Sequence, residues 1–219
     1  MVFAIAFTNN CAVASLVAKG MLAIRLKKNE TMKMIREYFE SKVHLSNEDW
    51  AIFSAKLSQR KFPKNSLVLK QGSTEEYLSF IEKGVLRFNI LTDNKDFTFA
   101  FGFQGSFVSA YDSFLTQSPT DYEVNTITET ILWRVKYIDL QEIYNTTLMG
   151  DRIGRLASEE LFKIKMKRLL SLMTESAEER YLNLIKNDPI LLQQIPLKYL
   201  ASYIGITPEA LSRIRKRIS

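Results

Sequence analysis

The chain has 219 residues, enough for one or two domains, and its 46% hydrophobic and 25% charged composition excludes wholesale disorder, a fibrous protein and a polytopic membrane protein. One cysteine, Cys11, and one histidine, His44, leave no internal disulfide, no cysteine-only metal or iron–sulfur site and little room for a zinc site or a histidine-based triad. Residues 151–219 carry 13 Lys/Arg against 8 Asp/Glu, or +5, while residues 1–150 carry 17 against 16, or +1; the last third therefore suits an anionic partner, nucleic acid first, with a solvated basic surface as the alternative.

Val2 to Ile24 is apolar, but Asn9, Asn10 and Lys19 interrupt it and Arg25, Lys27 and Lys28 follow it. A secretory signal carries its positive charges before the apolar run, and a spanning helix has few polar interruptions. Residues 1–31 read best as an upstream extension, with translation starting naturally at Met32 or Met34. A membrane anchor and an ordinary packed helix are the alternatives. From Thr31 the pattern is globular, with Met34, Ile35, Tyr38 and Phe39 at helical spacing. Ser46-Asn47-Glu48-Asp49 reads as a helix start, and Trp50, Phe53 and Leu57 as the buried stripe of that helix.

Residues 60–135 change to short alternating runs bounded by Gly, Pro, Asn and Asp. Leu67 and Leu69 alternate, as do Leu86, Phe88 and Ile90. Phe97, Phe99, Phe101 and Phe103 fall on one face of a strand with period two, a core ladder rather than a ligand-stacking platform. Thr92-Asp93-Asn94-Lys95 predicts a hairpin turn. Ile131, Trp133 and Val135 close the series, which suggests an antiparallel sandwich or barrel. Residues 137–176 turn helical. Met149, Ile153 and Leu156 keep coiled-coil-like spacing, and Phe162, Met166, Leu169 and Met173 repeat on a shifted stripe. Two apolar edges suit one helix shared between its own domain and a second copy, or between two domains of one monomer. A further helix should end near Asn187-Asp188-Pro189.

The strongest signal is Leu197 to Ile214. Leu197, Leu200 and Ile204 stripe a first short helix, Ala201 allows a close crossing and Gly205 suits the left-handed backbone after it. Ile206 plugs the turn, Thr207 caps a second helix and Pro208 takes its first position. Leu211, Ile214 and Ile218 pack that helix back, giving a helix-turn-helix unit. Its outer face holds Glu209, Ser212, Arg213 and Lys216, flanked by Arg215 and Arg217. Glu209 can accept from cytosine N4 and Arg213 can donate two bonds to guanine; Ser212, Lys216 and Arg217 suit backbone phosphates. Thr207, Glu209, Ser212, Arg213, Lys216 and Arg217 are the candidate DNA-binding set.

Thr207-Pro208-Glu209-Ala210-Leu211-Ser212-Arg213-Ile214 resembles the recognition helix of the Crp/Fnr transcription regulators. Gly72 to Val85 is similar to that family's glycine–glycine pattern in its cyclic-nucleotide-binding β-roll, and the resemblance runs from about Met32 to Ser219. It implies an α+β fold: an N-terminal antiparallel, jelly-roll-like β-roll sensor over residues 32–148, a long dimerisation helix over 149–175 and a helix-turn-helix domain over 176–219. The implied protein is not an enzyme. It is a cytoplasmic homodimer that places two recognition helices on a palindromic DNA site, with RNA polymerase as a further candidate partner and no membrane. A ligand-binding module acting through protein partners is the alternative.

The family's phosphate cassette carries a Gly-Glu pair for the ribose and an arginine for the cyclic phosphate. Here Gly105 is followed by Ser106, and Ser118 to Glu123 holds no arginine; no Lys or Arg occurs between Lys95 and Arg134. A buried cyclic phosphate without a cation is poorly stabilised, and Asp121 and Glu123 would repel it. No cofactor is expected, cAMP binding in the usual way is not expected, and any other effector is unidentified. An apolar or neutral molecule could be held by serine, tyrosine and aromatic side chains of the roll. His44 is expected on a surface loop, and the small β-hairpin wing that many family members carry after the recognition helix is not part of this sequence.

Overall fold

The computed structural model describes residues 26, 28–93, 95–147, 150–187 and 189–218. The readings of Val2 to Ile24 and of Cys11 lie outside them, as do Asn94, Met149 and Asp188. The chain divides into two compact units, residues 1–44 and 45–219. In the first, residues 28–40 form a helix, α1, that runs through the boundary expected at residue 31. Thr31, Ile35 and Phe39 are its buried positions at steps of four, and Arg36 pairs with Glu40 one turn on. His44 is exposed outside any element, as expected.

The second unit opens on α2 (Asn47–Ala55). The Asp49 N–H donates to the Ser46 hydroxyl at 3.0 Å, so the expected cap forms. Of the expected stripe only Phe53 is buried. Trp50 is half-buried, and Leu57 falls beyond the helix, which ends at Ala55, because β1 begins at Ser58.

Eight strands follow: β1 (Ser58–Phe62), β2 (Leu67–Leu69), β3 (Tyr77–Lys83), β4 (Val85–Thr92), β5 (Lys95–Phe103), β6 (Phe107–Val108), β7 (Glu123–Thr126) and β8 (Thr130–Lys136), with helix α3 (Tyr111–Thr116) between β6 and β7. They pair antiparallel in two four-stranded sheets, β1-β8-β3-β6 and β2-β7-β4-β5. Phe62, Ile81 and Leu132 of one sheet meet Leu69, Leu86, Phe88 and Val124 of the other, and burying each such side chain stabilises the fold by about 1.5–3 kcal/mol. This is the expected jelly-roll-like α+β architecture. Between β3 and β4 the chain reverses at Gly84, whose φ is +103°. A Cβ there would lie 2.4 Å from the Thr130 hydroxyl oxygen, so only glycine fits. The last pair between β4 and β5 is Thr92 with Lys95, the two ends of the hairpin turn expected there.

The phenylalanine ladder does not lie on one face. Phe88 pairs with Ala100 but Asn89 pairs with Thr98, so Phe99 is the extra residue of a β-bulge. Phe99 packs with Phe88 and Tyr122 inside the roll, its ring centroid 4.9 Å from that of Tyr122. Phe101 and Phe103 pack on the opposite side, against the C-terminal helices, and Phe97 is exposed. Strict alternation predicts a single face, and one added residue reverses it. Ile90 is exposed while Leu86 and Phe88 are buried, because it lies past Leu86–Asn89, the part of β4 that β7 pairs with.

The remaining elements are α4 (Tyr137–Thr146), α5 (Gly150–Thr174), α6 (Ala177–Asn187), α7 (Pro189–Gln194), α8 (Leu197–Ile204) and α9 (Pro208–Ile218). The 25-residue α5 has two edges, as its spacing suggests. Along one, Ser158 hydrogen-bonds Tyr111 at 2.9 Å, the Lys165 ammonium lies 5.2 Å from the Phe99 ring centroid and Arg168 lies over Tyr203 at 4.0 Å. Along the other, Phe162, Met166, Leu169 and Met173 are exposed, Phe162 by 67% and Met173 by 75%. α6 starts with a reciprocal cap in which the Ser176 N–H donates to Glu179 and the Glu179 N–H to the Ser176 hydroxyl. Among the described residues no helix is long and apolar enough to cross a membrane.

Candidate nucleic-acid interface

The last two helices form because their apolar residues share one side. Leu200, Ala201, Ile204 and Leu211 are all buried, and Ile206, Ile214 and Ile218 close the same cluster. Ala201 is fully buried, so a larger residue there would force the helices apart. Gly205 has φ +90°; its N–H donates to Ala201 and Ser202 and the Ile206 N–H to Ala201, which terminates α8. Two residues after Gly205, Thr207 caps α9, its hydroxyl accepting from the Ala210 N–H at 3.2 Å. The expected helix, turn and helix are all present. The Thr207 hydroxyl is used by the cap, a role in holding the helix start.

Two arginines that the sequence pattern did not single out hold the end of α8. Arg180 donates from Nε to the Ile204 carbonyl at 2.8 Å, and Arg168 donates to the Tyr203 carbonyl. Burial lowers the Arg168 pKa, while the coulombic influence of Tyr203 and Glu175 opposes that shift. Both cations sit at the negative end of α8, where the helix dipole and the last carbonyls favour them.

On the outer side of α9, Glu209, Arg213, Arg215, Lys216 and Arg217 are exposed and Ser212 is half-buried. The steps from Glu209 to Arg213 and on to Lys216 are four and three, so these three share one face. The Glu209 carboxyl is held below its ordinary value by its own backbone N–H, by the Thr207 hydroxyl and by the charge of Arg213. Arg217 stands apart from that face: it is ion-paired with Glu178 at the start of α6. Spacing along α9 alone assigns Arg217 to phosphate, because it does not show an acid brought in from another helix.

In the roll, the Ser106 hydroxyl donates to the Phe103 carbonyl at 2.6 Å and closes the turn that contains Gly105. The Tyr122 hydroxyl donates to Asp112, and burial first and that carboxylate second raise the Tyr122 pKa. Lys165 supplies a cation here that no reading of residues 95–134 could find, because it comes from α5. Its pKa is lowered by desolvation and raised by Asp112, the first being larger. Among the described residues no group of three or more His, Cys, Asp and Glu could hold a metal ion.

Residues 59–147 match the family model of the cyclic nucleotide-binding domain. The structure of FixK2 from Bradyrhizobium japonicum superposes with a TM-score of 0.65 at 18% identity, over 74% of this chain and 84% of that one. CLP, described as a c-di-GMP responsive global regulator of Xanthomonas campestris, gives 0.62 at 19% identity, over 79% and 91%. A protein from Eubacterium rectale described as a transcriptional regulator of the Crp/Fnr family gives 0.62 at 15%, over 80% and 83%. The fold is that of the Crp/Fnr regulators. In this Crp/Fnr fold the β1–β8 roll, the long α5 and the α8–α9 pair follow in the order expected from the sequence. No curated protein matches the sequence.

Proposed function

We propose that this chain is a sequence-specific DNA-binding transcription regulator of the Crp/Fnr type. The observation that carries the proposal is the α9 face, where Glu209, Arg213 and Lys216 are exposed on a helix whose opposite side is fixed by Leu211. Glu209 and Arg213, near the helix start, are the base-reading pair; Ser212 and Lys216 take backbone phosphates; Thr207 positions the helix start; Arg217 joins the phosphates once Glu178 releases it. The domains of this regulator are the roll over residues 32–148, the helix over 149–175 and the DNA-binding part over 176–219, with residues 1–31 as an extension. It acts without chemistry of its own, in the cytoplasm, and RNA polymerase is a candidate partner.

The exposed edge of α5 supports a homodimer. Phe162, Met166, Leu169 and Met173 recur at steps of four, three and four on a side away from the chain's own roll, the spacing of a two-helix seam. A dimer through this edge would set two recognition helices on half-sites about 34–36 Å apart on a palindrome.

The roll's residues do not fit the phosphate of a cyclic nucleotide. The Ser106 hydroxyl is committed to Phe103, the Tyr122–Asp112 pair supplies a carboxylate, and the only lysine or arginine over the Phe99–Tyr122 aromatics among the described residues, Lys165, already faces Asp112. The proposal is therefore regulation without cAMP bound in the usual way. Calorimetric titration should give no heat with cAMP; micromolar affinity would contradict this part. Selection of bound fragments from a random duplex library tests the function itself. A palindrome is the expected result, and no enrichment would refute the reading.

A further inference from the structure

Among the described residues β5 is the last strand of its sheet, and its outer row of N–H and C=O groups has no strand partner there. Such an edge is a template for unwanted pairing unless something covers it. Here α8 covers it. The Ser202 hydroxyl accepts from the Thr98 N–H at 2.8 Å and donates to the Asp96 carbonyl at 2.9 Å. A hydroxyl has one proton and two lone pairs, so both bonds form together. These are the donor and acceptor that a neighbouring strand would engage.

The contact around Ser202 is otherwise side chain on side chain. Arg87 is buried, donates to the Thr98 hydroxyl at 2.7 Å and lies 3.8 Å from the centroid of Tyr199, one turn before Ser202. Phe101 meets Tyr203 at 5.3 Å. Apolar burial is non-directional and tolerates sliding. The two bonds to Ser202 fix one register of α8 along β5. Only Gly205, Ile206 and Thr207 separate α8 from α9, and the turn between them is closed by the bonds of Gly205 and Ile206, so fixing α8 fixes α9.

We infer that Ser202 is a positioning residue, tying the helix-turn-helix to the open edge of the roll and so setting the direction in which α9 meets DNA. This rests on the DNA-binding reading above. The test uses the full chain and two variants, Ser202→Ala and Ser202→Thr, with two readouts. Amide hydrogen exchange reports the tie without DNA: in Ser202→Ala the Thr98 amide should exchange at least tenfold faster and α8 and α9 should lose protection, while β4 and β7 stay as they are. Ser202→Thr, which keeps the hydroxyl, should restore protection. Unchanged exchange in Ser202→Ala overturns the tie.

The second readout is binding to duplexes carrying two selected half-sites at a series of spacings. The wild-type chain should prefer one spacing. Ser202→Ala should bind a single half-site as before but discriminate spacings several-fold less. A general loss of stability would lower affinity at every spacing alike. The same spacing profile in wild type and Ser202→Ala overturns the positioning role. A wild-type chain that binds no duplex refutes the DNA-binding reading and the positioning role with it, and the exchange experiment still decides whether Ser202 ties the two elements.

Discussion

Arg217 on α9 is ion-paired with Glu178 on α6, so a cation of the basic helix is partly neutralised before any partner arrives. Arg217 is well exposed and Glu178 half-buried, and a pair so open to solvent contributes little to stability. Its effect is on binding, because each cation that newly reaches a phosphate releases a counterion. Glu178→Gln should raise affinity for random duplex DNA and steepen the log–log dependence on salt by about 1, with thermal stability unchanged. Fluorescence anisotropy at several salt concentrations measures this; an unaltered slope would mean that Arg217 reaches no phosphate.

Glu209 should titrate below its ordinary value of 4.5. A carboxylate depressed in the folded state stabilises fully above the unfolded pKa, and that contribution is lost as pH falls through the folded pKa. Thr207→Ala leaves the larger influence, the backbone N–H of Glu209 itself, in place but removes the hydroxyl that adds to it and that caps α9. NMR titration should show the Glu209 midpoint rising toward 4.5, and denaturation should show a loss of about 1 kcal/mol.

Lys165 gives a slope of the same sign, in an alkaline window. Desolvation over Phe99 lowers its pKa from 10.5. The unfolded chain therefore binds the extra proton in the window between the lowered folded value and 10.5, so this residue's contribution to stability rises as pH climbs through that window. Lys165→Met should flatten that rise in urea denaturation midpoints between neutral and alkaline pH. Because much of the residue is exposed, the change should be small.

Phe162→Glu places a charge at the start of the exposed edge of α5, where the wild-type phenylalanine is 67% exposed. Sedimentation should show a dimer for the wild-type chain and a monomer for the variant, with the fold intact by circular dichroism. Palindromic sites should then be bound many-fold more weakly than by wild type, and isolated half-sites equally well.

The elements were legible where periodicity and punctuation agree. Ser46 before α2, the Asp93 hairpin, Gly205 and Thr207 each act at one position through local backbone chemistry, and each lies where the pattern puts it. The phenylalanine ladder was not legible, because the bulge at Phe99 depends on how β5 pairs with β4 and not on β5 alone. The same reason hides Lys165 over Phe99, Arg168 and Arg180 at the end of α8, and Glu178 beside Arg217: each is a contact made across at least 24 residues of chain. Within the candidate interface, the exposed face of α9 could be read from spacing; the partners that tune it could not.

The most direct test of the central claim is equilibrium binding of wild type and Arg213→Ala to a selected palindrome and to its single-base variants. The account predicts that Arg213→Ala costs about 1–3 kcal/mol on the selected site and loses discrimination at one base pair in each half, while binding to random DNA changes little. Equal affinity and equal discrimination in the two proteins would contradict it, since α9 would then not be reading bases through that face.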